Sequence, residues 1–271
     1  MHIPDGYLGP QTYFPLYGIS VGFWAIAQKK LKKQLSLKHV PYLAMAAAFS
    51  FLIMMFNIPI PGGTTGHAVG TGIIAILLGP WAAVLAVSIV LIIQALLFGD
   101  GGITAIGANC FNMAVAMSFV SYWVFGLIKG RSEGNARLSI AAFLSGYIGL
   151  LVAALFTAIE LGIQPLIATG VDGRPLYAPY PPSVALPALL IGHLFPFGVV
   201  EGLVTVLLLK YFLKHEPDLV YALSNPSRNR APLTPPSPLP SSKRLRAGRP
   251  QGRVDKSRND CRTDTRPRGE G

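Results

Sequence analysis

The chain has 271 residues, of which 51% are hydrophobic and only 13% are charged, and its mean hydropathy is +0.48. Soluble domains are about 25% charged, so the composition excludes an ordinary soluble protein and indicates a membrane protein. The net charge of +11 does not indicate nucleic-acid binding, because residues 221–271 alone hold 12 Lys and Arg against 4 Asp and Glu. The apolar part has no basic face with interleaved aromatic residues.

Apolar runs follow one another from residue 11 to about residue 213. Because a membrane-spanning helix needs roughly 20 apolar residues, they predict an all-α integral membrane protein with seven transmembrane helices. The predicted spans are residues 11–28, 41–57, 66–79, 80–98, 108–128, 138–161 and 185–212. The third run is short, so we expect this helix either to tilt less than its neighbours or to begin below the membrane surface.

Basic residues predict the orientation of these helices. They cluster after the first, fifth and seventh spans. The clusters are Lys29, Lys30, Lys32, Lys33 and Lys38, then Lys129, Arg131 and Arg137, then Lys210 and Lys214. The opposite side carries one basic residue, Arg174. The positive-inside rule therefore predicts an N-terminus outside the cell and a C-terminus in the cytoplasm, in a multi-pass protein of a bacterial or archaeal cytoplasmic membrane.

The sequence changes character after the last span. We expect residues 1–225 to form the membrane domain and residues 226–271 to form a disordered cytoplasmic tail, because a Pro-, Ser- and Arg-rich segment buries too little apolar surface to fold. Contact of its Arg residues with anionic lipid and a sequence foreign to the domain are the alternatives.

The first two residues offer an unusual set of metal donors. The chain begins MHIPDG, without the pattern of a cleavable signal, and we expect Met1 to keep a free amine because His2 is too large for Met removal. The amine, the His2 amide and the His2 imidazole can close two fused chelate rings. Such a planar set suits Ni(II) or Cu(II) and leaves one position for another imidazole, although most histidines at position 2 bind nothing.

His67 is the candidate for that fourth position. It follows the flexible segment PGGTTG at the predicted outer end of the third helix. Taken alone, such a residue is more often structural. His193 is an ionisable residue within the last span, and it fits a functional role and a helix-packing role equally well.

Other polar residues lie near the predicted site. Asp5 either caps a turn with Gly6 or orients a ligand imidazole, and we favour the turn; Asp100 likewise fits a turn first. Further polar residues in apolar spans fit contacts with broken backbone near the loop 99–107 or, for the acids, a proton relay. They are Gln94, Asn109, Asn112, Glu160 and Glu201.

The sequence lacks the motifs of a zinc metalloprotease and of a nucleotide-binding enzyme, since neither HExxH nor GxxxxGK[ST] occurs in it. We therefore expect a transporter subunit that does not hydrolyse ATP itself. A stand-alone secondary divalent transition-metal permease is the alternative function.

Three motifs carry a family resemblance over roughly residues 1–215. They are MHIPDG, PGGTTGHAVGT at 61–71 and FGDGGITAIGANCFNMA at 98–114. The chain resembles the CbiM/NikM family, the cobalt- and nickel-binding membrane components of energy-coupling-factor (ECF) transporters. The resemblance implies seven helices and a metal site of Met1, His2 and His67. The cobalt branch often reads MHIMEG, so Pro4-Asp5 leaves nickel and cobalt open.

The resemblance also implies partners. Family members work with a transmembrane coupling protein, two cytoplasmic ATPases and in some cases a small accessory membrane subunit. Ala44 and Ala48 form a small-residue face on the second span, which fits either docking on the coupling protein or packing within the chain.

We expect a mobile N-terminus that releases two protons on binding metal, one from the ammonium and one from the His2 amide.

Overall fold

Helices dominate the fold, because backbone groups surrounded by apolar side chains must satisfy one another by hydrogen bonding. The structure is a computed structural model and describes residues 1–34, 40–60, 64–130, 134–217 and 219–220. These residues belong to one compact unit, Met1–Arg230. The predicted tail, residues 226–271, lies outside the described residues.

The helices follow the apolar runs closely. In chain order they are α1 (Pro10–Gln34), α2 (Val40–Met54), α3 (Thr71–Leu78), α4 (Pro80–Ile93), α5 (Ile106–Asn109), α6 (Met117–Lys129), α7 (Asn135–Gly162), α8 (Gln164–Ile167), α9 (Pro182–Gly192) and α10 (Gly198–His215). Three π-helical turns extend or join them: Gln94–Phe98, Cys110–Ala116 and His193–Phe197.

The protein is a multi-pass membrane protein. Within the described residues, four helical stretches are long and apolar enough to cross a membrane: Pro80–Phe98, Ile106–Lys129, Asn135–Ile167 and Pro182–His215. The apolar helix α2 is shorter, with 15 residues. The predicted all-α membrane fold is therefore confirmed, whereas the count of seven crossings is not.

The third predicted span differs from the expectation. It was expected over residues 66–79, but α3 begins at Thr71 and has 8 residues, which is about 12 Å of helix. The chain turns at Gly70, whose φ of 76° favours glycine. His67 therefore does not open the helix but precedes it, in an extended segment.

A short hairpin replaces the predicted loop at 57–66. Strand β1 (Ile58–Ile60) pairs with β2 (Thr64–Gly66) in antiparallel register, with Ile58 opposite Gly66. Residues 61–63, between the strands, lie outside the described residues. The hairpin fixes where the chain leaves β2, and it delivers His67 directly afterwards.

The long helices of the fold pack against one another. Helix α7 packs against α6, α9 and α10, and Ser145 of α7 donates a 2.8 Å hydrogen bond to the carbonyl of Ser121 in α6. Such polar contacts join helices in an apolar environment.

Candidate metal centre

The N-terminal segment is pinned to the start of α5. The backbone N–H of Ile3 donates to Asn109 Oδ1 at 2.9 Å, and Asn109 Nδ2 donates to the Ile3 carbonyl at 3.2 Å. The N–H of Gly102 donates to the same carbonyl at 2.8 Å. The terminus is therefore docked in this structure, since both backbone groups of Ile3 have partners.

Asp5 fastens the same segment a second time. Its carboxylate accepts hydrogen bonds from Ile103 N–H at 3.0 Å, Thr104 N–H at 2.8 Å and Thr104 Oγ1 at 2.6 Å. Burial opposes ionisation of Asp5, but these bonds outweigh it and lower the pKa. Asp5 and Gly6 also form the predicted turn. Asp5 thus anchors the segment through the loop 99–107.

The Met1 amine is buried inside the protein. Met1 is 0% exposed, and its amine donates to the backbone carbonyl of Thr65 in β2. Burial lowers the pKa of this amine from 8.0 to about 4, although the Asp100 carboxylate acts in the opposite direction. At neutral pH the docked amine is therefore uncharged and has a lone pair to offer.

His2 lies between His67 and Asp100. The rings of His2 and His67 are stacked, with centroids 4.7 Å apart and planes inclined by 25°. His2 Nδ1 is 3.3 Å from Asp100 Oδ1. Burial, followed by the charge of the terminal amine, lowers the pKa of His2 to about 3, and a hydrogen bond with Gln94 only partly offsets this. The imidazole is therefore neutral.

Asp100 joins the two loops at the site. Its Oδ2 accepts a 3.2 Å hydrogen bond from Asn57 Nδ2, just before β1, while its Oδ1 faces His2. Burial raises the pKa of Asp100, and the terminal amine counteracts this. In addition to its place in the loop, Asp100 therefore contacts the His2 imidazole with one oxygen and the Asn57 amide with the other.

His67 is positioned by the backbone carbonyl of the next residue and by a side chain of α10. Its side chain is fully buried, and Nδ1 lies 3.1 Å from the Ala68 carbonyl. A carbonyl only accepts hydrogen bonds, so Nδ1 carries the proton and Nε2 a lone pair. Among the described residues, no group hydrogen-bonds to His67 Nε2. This arrangement is typical of histidines that bind metals.

Glu201 holds the backbone that follows His67. The Glu201 Oε2 atom accepts hydrogen bonds from Val69 N–H at 2.8 Å and Gly70 N–H at 2.9 Å, and Oε1 accepts from Gly72 N–H at 3.4 Å. The carboxylate therefore caps the N-terminus of α3 from α10, a favourable position for a negative charge. No paired proton relay is needed to explain it.

The remaining candidates lie outside the contact between the two rings. Asn112 Nδ2 donates to Glu160 Oε2 at 2.8 Å and to Thr157 Oγ1 at 3.1 Å, so its amide group bonds to side chains of α7. His193 is buried in the π-helical turn between α9 and α10. Ala44 and Ala48 lie exposed on α2.

The available donors are nitrogens. Across the described ranges, no group of three or more His, Cys, Asp or Glu side chains is arranged to hold a metal ion. What meets here is the Met1 amine, the adjoining His2 amide and two neutral imidazoles. The sequence did not predict the hydrogen bonds made by Asn109 and Glu201, because their partners lie 106 and up to 132 residues away along the chain.

Comparisons with known proteins agree with this picture. Residues 2–219 match the family model CbiM, described as the cobalt uptake substrate-specific transmembrane region. A fused nickel transport protein NikMN of Rhodobacter capsulatus is 50% identical over 87% of this chain, which covers 66% of that protein. A probable fused nickel transport protein LarMN of Lactiplantibacillus plantarum is 46% identical over 86% of this chain, which covers 70% of that protein.

A solved structure has the same fold. A truncated transition metal transporter superposes with a TM-score of 0.77 and 48% identity, and the match covers 79% of this chain and 99% of the other. The match to the family model spans most of the sequence, including the N-terminal segment from His2, His67 and the helices behind them. The chain belongs to the CbiM family of membrane transport proteins.

Proposed function

We propose that this chain is the substrate-binding membrane component of an ATP-driven ECF importer. It captures Ni(II) or Co(II) through the Met1 amine, the amide and imidazole of His2, and the imidazole of His67. The observation that carries the proposal is the stacking of His2 on His67, with ring centroids 4.7 Å apart, beside a buried terminal amine.

Charge balance supports a divalent cargo. An amide nitrogen binds a metal only as its anion, so the four-nitrogen complex of a divalent ion carries a net charge near +1, which is easier to bury than +2. The Asp100 side chain lies 3.3 Å from His2 Nδ1. When it is ionised, its negative charge brings the net charge of the occupied site close to zero.

Nickel is the favoured cargo. Nitrogen sites bind Ni(II) more tightly than Co(II), and a planar set of four nitrogens suits Ni(II). Two relatives at 50% and 46% identity are named as nickel transport proteins, whereas the family model is described by cobalt uptake. Copper binds such a set still more tightly, so discrimination against it falls to metal availability or to the transport step.

We infer seven membrane-embedded helices, with the N-terminus outside. The basic residues at the helix ends support this orientation, because Lys29, Lys30 and Lys32 end α1 and Lys210 and Lys214 end α10. The N-terminal segment and the metal centre lie at the opposite end of α1. The ion then enters from the external medium.

The ATPase belongs to partner subunits in this proposal. A transmembrane coupling protein would dock on the exposed Ala44 and Ala48 of α2, which permit close approach of another helix. Two cytoplasmic ATPases and, in some assemblies, a small accessory membrane subunit complete the transporter.

Calorimetry with the purified full-length protein tests the site. We expect insertion of one alanine between Met1 and His2 to abolish tight Ni(II) binding, because it breaks the fused chelate rings. We expect His67→Ala to weaken binding by at least about tenfold, since even hydrogen-bonding partners of metal ligands contribute about 10–100-fold. His215→Ala, at the far end of α10, is the matched control.

Two results would contradict the proposal. Unchanged isotherms for the insertion or for His67→Ala would remove those groups from the site. Nickel uptake by this chain alone in proteoliposomes, without ATPase subunits, would favour the stand-alone permease.

A further inference from the structure

A third buried imidazole has the same arrangement as His67. His193 is fully buried in the π-helical turn His193–Phe197, and its Nδ1 lies 2.7 Å from the carbonyl of Leu189. The carbonyl can only accept, so Nδ1 carries the proton and Nε2 carries a lone pair. Among the residues that the structure describes, Nε2 has no hydrogen-bond partner.

This arrangement is costly unless Nε2 binds something. A buried acceptor without a partner destabilises the fold, and ionisable residues within membrane segments mark substrate pathways. A backbone carbonyl that fixes the tautomer of an imidazole is a frequent partner of metal-binding histidines. His67 and His193 share this feature.

The turn that carries His193 packs on the hairpin that directly precedes His67. The Phe197 ring fills the space beside Gly66, where an added Cβ would lie 2.0 Å from Phe197 Cε2, and this ring is centred 5.6 Å from the His193 ring. Through Phe197, His193 therefore lies next to the segment that leads into His67, on the side of α9 and α10.

We propose that His193 is a transfer ligand, whose Nε2 takes the coordination position that His67 gives up as the ion leaves the centre. The inference rests on the proposed function. An incoming nitrogen can bind to the open face of a planar complex before another nitrogen departs. One metal–nitrogen bond to His193 forms and the bond to His67 breaks, and no proton or electron is transferred.

Copper provides the probe, because the electron paramagnetic resonance spectrum of Cu(II) reports the number of bound nitrogens. In full-length protein carrying His67→Ala, we expect Cu(II) to keep four nitrogens, with His193 in the vacated position. In the double variant His67→Ala/His193→Ala, we expect three nitrogens and an oxygen. The double variant His67→Ala/His215→Ala is the matched control and should keep four.

A further measurement separates lost coordination from lost folding. Free imidazole added to the His67→Ala/His193→Ala variant should restore the fourth nitrogen if the protein is folded. If that variant does not fold, His67→Ala/His193→Gln replaces it, with the same expected loss of one nitrogen. In the assembled transporter, His193→Gln should lower nickel uptake by about tenfold, the scale on which partners of a metal site act.

The outcomes distinguish the two proposals. If the wild-type protein holds no metal through its N-terminus, the proposed function fails. If the wild type and His67→Ala bind Cu(II), but His67→Ala already shows three nitrogens and loss of His193 changes nothing, only the transfer ligand is overturned.

Discussion

Asn109 matches both backbone groups of Ile3, accepting from its N–H at 2.9 Å and donating to its carbonyl at 3.2 Å. A primary amide is suited to this task because it has a donor and an acceptor side by side. Ile3 follows His2 directly in the chain. The position of the two proposed ligands, Met1 and His2, is therefore linked directly to one side chain of α5.

Replacing Asn109 should weaken metal binding without removing a ligand. We expect Asn109→Ala to lower Ni(II) affinity by about 10–100-fold, as is usual when a partner that orients metal ligands is lost. Titration calorimetry measures the change, and Asn135→Ala, at an exposed position at the start of α7, is the control. Equal affinities for Asn109→Ala and wild type would show that the terminus docks without this clamp.

A single added methyl group at Gly102 should displace the same segment from the other side. A Cβ at Gly102 would lie 2.4 Å from the backbone nitrogen of Asp5, a contact that one of the two chains must relieve by moving. We expect Gly102→Ala to destabilise the docked segment by about 1–3 kcal/mol and to lower Ni(II) affinity accordingly.

Gly126 provides the matched control for Gly102→Ala, since a Cβ there meets no atom within 4 Å. Calorimetry with Ni(II) and thermal unfolding of both variants separate an effect on the site from one on the fold. A Gly102→Ala protein that binds nickel as tightly as Gly126→Ala would disprove the expected steric conflict.

Loss of the Glu201 carboxylate should act on His67 through the backbone. In Glu201→Gln, an amide NH₂ group faces one of the N–H groups of Val69, Gly70 or Gly72, and a buried donor without an acceptor costs about 1–3 kcal/mol. We expect a lower unfolding temperature and weaker Ni(II) binding. Glu216→Gln, exposed beyond α10, should change neither quantity.

Rescue separates positioning from general damage at Glu201. Glu201→Asp keeps the negative charge and should restore part of the nickel affinity. Should Glu201→Gln bind nickel with wild-type affinity despite reduced stability, Glu201 would support the fold alone and not the position of His67.

Acidification should release the N-terminal segment. The pKa of the Met1 amine falls from 8.0 to about 4 and that of His2 from 6.5 to about 3 on docking. At a pH between the undocked and the docked pKa of a group, the undocked segment binds a proton that the docked segment does not. Docking therefore becomes less favourable as the pH falls from 8 towards 4. Reaction of the amine with an acylating reagent and quantification by mass spectrometry, corrected for the pH dependence of the reagent itself, measures the released fraction.

The same pKa values predict the proton balance of metal binding. Since the docked amine is already neutral, we expect about one proton per Ni(II) at pH 7.5, from the His2 amide. Calorimetry in two buffers of different ionisation enthalpy gives this number. Release of two protons would show that the amine is an ammonium group before the metal arrives, as expected for a mobile terminus.

The local part of the site could be predicted from the sequence. The chelating pattern of the first two residues depends only on their order, and the position of His67 after a glycine-rich loop indicated a fourth donor. The structure stacks His67 on His2. Long apolar runs likewise predicted the helices, because length and hydropathy determine which segments form membrane helices.

The non-local part could not be predicted. Asn109 and Glu201 were recognised as polar residues in apolar spans, but a side chain that pairs with backbone over 100 residues away leaves no periodic signal. The hairpin at 58–66 was missed because two strands of three residues each are too short to show alternation. The start of α3 was placed too early because the apolar run begins before Thr71. Hydropathy alone does not show that the chain turns at Gly70.

The burial of the Met1 nitrogen has a practical consequence for work on this protein. Any group joined to that nitrogen, whether a formyl group, an affinity tag or a fluorescent protein, would have to push aside Thr65 and the strand that carries it. Purification handles and reporters therefore belong at the other end of the polypeptide. The proposed site would then depend on enzymes that expose a free amine on a newly made chain.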